Sequence, residues 1–227
     1  MAKNLAGVRR SLVRLVIVAG VLAVAGYLFN HQLIQFIERP LSQPLAYFKV
    51  TEAFYAGLKV SLFASLFLVM PLIFLEVWKF AFPLFWPEAG RYNWLVTLAA
   101  SFLFYGGASV CYLIVLPAAV KFLVGYAQGH MEPLISVDRY LSFAIAFIFG
   151  FGLTFQLPLA MVLLARAGVV TSSWLVKNFR YAVLAIVVVA AMITPTPDVY
   201  NLSLMAGPLL VLYGASILLV KIFGKRG

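Results

Sequence analysis

Charged residues divide the chain into six long uncharged stretches, 15–37, 60–75, 92–120, 140–165, 181–197 and 199–220, dominated by Leu, Val, Ile, Phe, Ala and Gly. A helix rises ~1.5 Å per residue and bilayer hydrocarbon is ~30 Å thick, so ~20 such residues cross it. None of the stretches alternates apolar and polar positions as a membrane-spanning strand must. The pattern predicts an all-α membrane protein with six spans, roughly 12–29, 56–80, 93–122, 139–166, 181–194 and 203–222, forming a single polytopic domain over 1–227. Residues 1–30 read as a retained first span, because the apolar run exceeds a signal-peptide core.

Local signals place the breaks. A loop over 30–57, with Pro40 and Pro44, stays apolar enough (Leu45, Tyr47, Phe48, Phe54) to pack on the helices or the membrane surface. Span three is long enough that it must tilt or project. Ser136 is placed to cap span four, with Asp138 in its first turn, where the helix dipole favours an anion. Gly150 and Gly152 permit close helix approach. Pro158 removes a donor and frees the carbonyl of Thr154. Thr171, Ser172 and Ser173 offer a cap for the following helix. Span five is stopped by Thr194-Pro195-Thr196-Pro197-Asp198 and is too short for average hydrocarbon, so the bilayer must thin there or neighbours must cover its ends.

Charge sets the orientation. With six spans both termini share one side, which then carries 12 of the 17 Lys and Arg residues against 5 on the other. Positive loops stay cytoplasmic, so both ends are expected inside. The net charge of +10 is thus a topological signal, and its distribution argues against nucleic acid; attraction to anionic lipid headgroups is a secondary role.

The chemistry for catalysis is missing. Cys111 is a lone cysteine inside a span, and His31 and His130 fall in expected loops far apart in sequence, so no metal site or cofactor is expected. There is no phosphate-cradling glycine loop. The serines within spans have no embedded base, so no catalytic residue is assigned and an enzyme is not expected. The deepest strongly polar side chains are Gln156 and Thr154. They serve either an interhelical hydrogen bond or a polar point facing a hydrated concavity or partner helix. On the inner side, Glu88 lies in a Pro- and aromatic-rich loop. It either receives a guanidinium or simply pairs with Arg91.

The order of several short segments resembles a known family, TatC, the polytopic core of the twin-arginine protein translocase. They are Glu38-Arg39-Pro40-Leu41, Pro71-Leu72-Ile73 through Trp78-Lys79-Phe80, Phe82-Pro83-Leu84 with Glu88, Tyr140-Leu141-Ser142-Phe143, Phe155-Gln156-Leu157-Pro158, Thr194 to Val199, and Pro208 with Leu212-Tyr213. The resemblance implies a concave bundle with short helices five and six in the bacterial cytoplasmic membrane. It implies recognition of twin-arginine signal peptides on folded cargo at Arg9, Leu12, Phe80, Pro83 and Glu88, with export driven by the proton motive force. It also implies docking of TatA-type and TatB-type single-span partners around Thr194, Asp198 and Tyr213, a homo-oligomer within the translocase, and outer-loop structural roles for Pro40, Glu52 and Asp138. Two departures stand out: the carboxylate of the family's N-terminal pattern is absent, and its span-four glutamate is Gln156. A small-solute permease and a scaffold for single-span partners are the alternative readings.

Overall fold

The computed structural model describes residues 2–41, 43, 45–85, 93–127, 134–193 and 199–224. Helix α1 (Ala2–Leu28) is followed by a short helix α2 (Asn30–Glu38), a two-residue strand β1 (Leu45–Ala46) and the long α3 (Glu52–Phe85). Helix α4 (Asn93–Val110) continues through a wide turn, Cys111–Val115, into α5 (Leu116–Ala127). Strand β2 (Ile135–Ser136) leads into α6 (Val137–Thr154) and α7 (Leu157–Arg166). The short α8 (Ser172–Lys177), α9 (Phe179–Ile193) and α10 (Val199–Phe223) complete the chain. Five segments are long and apolar enough to cross a membrane, and the shorter apolar helix Phe179–Met192 is the counterpart of expected span five.

The expected 30–57 loop needs correcting. Its first third is helix α2, so His31 is helical, and α3 begins at Glu52 rather than 56. Gly57 lets Asn30 approach α3, where a Cβ would meet Asn30 Nδ2 at 2.9 Å. At the far end of α2 the Tyr140 hydroxyl donates to Ile37 O at 2.8 Å, and Ile37 is buried. The pairing of β1 with β2, parallel with Leu45↔Ile135 and Ala46↔Ser136, was invisible in the sequence because the two dipeptides are far apart along it.

Prolines act differently by position. Pro71 and Pro208 are absorbed within continuous helices. Pro158 sits in the first turn of α7, where its missing N–H costs nothing, and the span expected to continue through 139–166 is broken after Thr154 into α6 and α7. Two residues bridge the break, with Gln156 N–H donating to Leu153 O at 3.0 Å. The wide turn precedes Pro117: Leu116 N–H reaches back five residues to Cys111 O, which eases the clash of the proline ring with the carbonyl of Leu113.

The chain divides into two compact units, Met1–Val77 with Val120–Ile145, and Trp78–Ala119 with Ala146–Gly227. The divisions fall inside α3, α5 and α6 rather than in linkers. In the first unit, α1 approaches α3 at Gly26, 3.4 Å from Ser61 O by an added Cβ. In the second, Phe104 is fully buried over Gly152 and edge-on to Phe149, with ring centroids 5.5 Å apart. Tyr213 is buried beside Phe179 and donates to Leu175 O at 3.0 Å, tying α10 to α8.

Gly107 marks a close approach of α4 to α6. A Cβ there would lie 2.9 Å from Phe151 O, a backbone atom that cannot swing aside, whereas one on Gly106 meets nothing within 4 Å. Gly107→Ala should therefore destabilise the protein by ~1–3 kcal/mol, with Gly106→Ala within ~0.5 kcal/mol of the parent. Thermal unfolding of the two variants in micelles checks this, and equal midpoints would refute the tight crossing.

Candidate functional site

The most completely built polar site lies at the start of α3. Glu52 is 8% exposed, and its carboxylate collects donors from two segments distant in sequence. Oε2 accepts the Phe48 N–H at 2.7 Å and the Lys49 N–H at 3.3 Å. Oε1 accepts the Asp138 N–H at 3.1 Å and the Ser136 hydroxyl. These four donors fill the ~4 lone-pair positions of a carboxylate. The same Ser136 oxygen accepts the Arg139 N–H at 3.4 Å, the cap expected from the sequence. One side chain thus satisfies backbone donors at the approach to α3 and in the first turn of α6, where dipoles favour an anion.

A second pair reinforces the first. Lys59 ion-pairs with Asp138 and donates to Ser142 Oγ at 2.7 Å; Ser142 then donates to Asp138 O at 2.6 Å. Lys59 follows Glu52 by seven residues and Ser142 follows Asp138 by four, so each pair shares one helix face. That spacing was the signal by which Lys59 and Ser142 could have been found. The paired side chains are 36% and 43% exposed, so the ion pair contributes ~1 kcal/mol or less. The buried Glu52 carries more of the stability. Pro40 sits half-buried in the turn after α2, where Leu41 N–H donates to Glu38 O at 2.8 Å.

The intramembrane polar pair separates. Thr154 donates to Gly150 O at 2.6 Å and is spent on its own helix. Gln156 Nε2 donates to Ala100 O at 2.8 Å, holding the α6–α7 break against α4. Its Oε1 is buried without a partner among the described residues, so one acceptor is left over.

At the other end of α3, Ser11 donates to Glu76 Oε2 at 2.9 Å and ties α1 to α3, a link the sequence reading missed. Arg9 is exposed, and Leu12 and Phe80 are 56% and 57% exposed, so all three are open to a partner. Pro83 lies in the helical backbone of α3. Glu88, Thr194, Asp198 and His130 lie outside the described residues. Tyr213 is buried, so any part it has in docking acts through the placement of α8 and α10. No group of three or more His, Cys, Asp or Glu residues suited to a metal ion occurs among the described residues.

Comparison with known proteins covers almost the whole chain. Residues 3–208 match the family model described as Sec-independent protein translocase protein (TatC). The Sec-independent protein translocase protein TatC of Desulforapulum autotrophicum is 36% identical over 230 residues, covering 99% of this chain and 85% of that protein. Its counterpart from Carboxydothermus hydrogenoformans is 32% identical over 215 residues, covering 92% and 88%. A crystal structure of the twin arginine translocase receptor TatC in DDM superposes with a TM-score of 0.84 at 30% identity, covering 98% of this chain and 99% of that one.

Replacing Glu52 by Gln keeps the shape but turns an acceptor into a donor facing N–H groups. We expect a loss of ~1–3 kcal/mol. A double-mutant cycle with Ser136→Ala should give a coupling above ~0.5 kcal/mol. Unfolding in micelles measures both, and additive effects would show that the two side chains act separately.

Proposed function

The chain belongs to the TatC family of Sec-independent protein translocases, and from this premise we propose that it is the signal-reading core of a twin-arginine translocase in the bacterial cytoplasmic membrane. The observation that carries the proposal is the likeness, in sequence and backbone along nearly its whole length, to a structure described as a twin arginine translocase receptor. The family is not a catalytic one, and the chain is a multi-pass membrane protein.

In this reading both termini are cytoplasmic, in line with the excess of Lys and Arg on that side. The guanidinium pair of a signal peptide meets Glu88 through charge-assisted hydrogen bonds, and the peptide also engages Arg9, Leu12, Phe80 and Pro83. The exposure of Leu12 and Phe80 supports an apolar contact for the peptide beyond its arginines. TatA-type and TatB-type single-span proteins dock near Thr194, Asp198 and the α10 segment around Tyr213, and several copies of the chain assemble in the working complex. Transport draws on the proton motive force without nucleotide hydrolysis. Gln156 takes the place of an ionisable family glutamate, and its unused Oε1 offers a hydrogen bond to a partner helix.

Two substitutions test the reading. Glu88→Ala should abolish cross-linking of a twin-arginine signal peptide to this protein while leaving its amount in the membrane unchanged; undiminished cross-linking removes Glu88 from the site. Gln156→Leu should impair export of a folded reporter more than it impairs accumulation of the chain. Equal losses would reduce Gln156 to its hydrogen bond with Ala100.

A further inference from the structure

Beside the Glu52 lock lies a cavity of about 810 Å³, within the ~300–1,000 Å³ range of small-molecule sites. Its lining is amphipathic in an ordered way. One wall is a stripe of α3, Tyr55, Leu58 and Leu62, at helical spacings of three and four residues. These side chains are 58%, 42% and 53% exposed, and the stripe runs ~10 Å along the helix axis. The rest of the lining is mainly polar and carries three cations, Lys49, Lys59 and Arg139, with the carboxylates of Glu52 and Asp138.

The charges do not cancel. Glu52 is fully occupied by its four donors, and Asp138 is paired with Lys59. Lys49 and Arg139 have no carboxylate partner among the described residues, so the lining sets three cations against the two carboxylates Glu52 and Asp138 and is net positive by one charge. Exposed aromatics, Tyr47 and Phe48, flank the cations at this end of the molecule, as aromatic side chains do at a membrane–water boundary. Segments Glu52–Phe80 and Val137–Arg166 are long and apolar enough to cross a membrane; with both spanning, Leu58 and Leu62 face acyl chains while Lys49 and Arg139, near the starts of these segments, stand at headgroup level.

We infer that this cavity is a binding site for one anionic phospholipid. The phosphate lies between Lys49 and Arg139, and an acyl chain runs along Tyr55, Leu58 and Leu62. Charge complementarity selects an acidic over a zwitterionic headgroup, and the apolar stripe selects a lipid over a soluble phosphate. A lipid seated there packs against the Glu52–Ser136 lock and stabilises the junction of α3 with α6. The inference rests on the membrane-spanning reading and is independent of the translocase proposal.

The test uses the purified full chain in detergent micelles, titrated with phosphatidylglycerol, phosphatidylcholine or glycerol phosphate, with bound molecules counted by native mass spectrometry. Phosphatidylglycerol should bind about tenfold more tightly than phosphatidylcholine, and glycerol phosphate should not bind at the same concentrations. Lys49→Gln combined with Arg139→Gln should lower phosphatidylglycerol affinity about tenfold. Lys177→Gln with Arg180→Gln, an equal change of charge on α8 and α9, should leave it unchanged. Should the first double variant fail to fold, each single variant carries the test, with an expected loss of about threefold. Equal binding of the two lipids, equal loss in the control pair, full retention in the variant, or binding of glycerol phosphate as tight as the lipid would each overturn the assignment.

Discussion

Hydrocarbon offers no partner to a peptide N–H or C=O, and that constraint shapes every part of this molecule. Long helices satisfy their own backbone, and where they break the bonding is rebuilt locally. At Gln156 the chain shortens its hydrogen bond by one residue; at Cys111–Val115 it lengthens them by one. At the start of α3 the helical solution runs out, and a single carboxylate takes over for backbone donors at Phe48, Lys49 and Asp138. The polar sites described here are those places where a helix cannot serve itself.

That view separates two kinds of polar residue. Glu52, Thr154 and the Nε2 of Gln156 are committed to internal partners and act as structure. Arg9, Lys49 and Arg139 carry exposed or unneutralised charge at the ends of spans and are available to something outside the chain. A permease would need a polar cavity at mid-membrane. The 810 Å³ cavity has neither Gln156 nor Thr154 in its lining.

What the sequence made legible follows from the range of each signal. The long apolar runs located five of the spans to within about four residues, because hydrophobic length alone decides them. Short-range signals also held: Ser136 and Thr171 cap helices as their positions suggest, with Trp174 N–H donating to Thr171 Oγ1 at 3.2 Å, and the helix breaks one turn before Pro158. Misses came from long-range pairing. Helix α2 lies in the segment read as loop, and its tertiary contacts, Asn30 against Gly57 of α3 and Ile37 O with the Tyr140 hydroxyl of α6, involve residues far along the sequence. The Ser11–Glu76 bond and the Glu52–Ser136 bond join residues 65 and 84 positions apart, and no local pattern announces them. Family resemblance singled out Glu52 without saying why it matters; the converging N–H groups supply the reason.

Which ends of the helices face which side decides whether a signal peptide can be read from the cytoplasm. Single cysteines placed at Gly7, Val50 and Leu134 in a Cys111→Ala background, probed in intact cells with a membrane-impermeant maleimide, measure this directly. Labelling at positions 50 and 134 from outside, and at position 7 only after permeabilisation, is the predicted result. Labelling of position 7 from outside, with 50 and 134 protected, would contradict the orientation and with it the cytoplasmic reading of signal peptides.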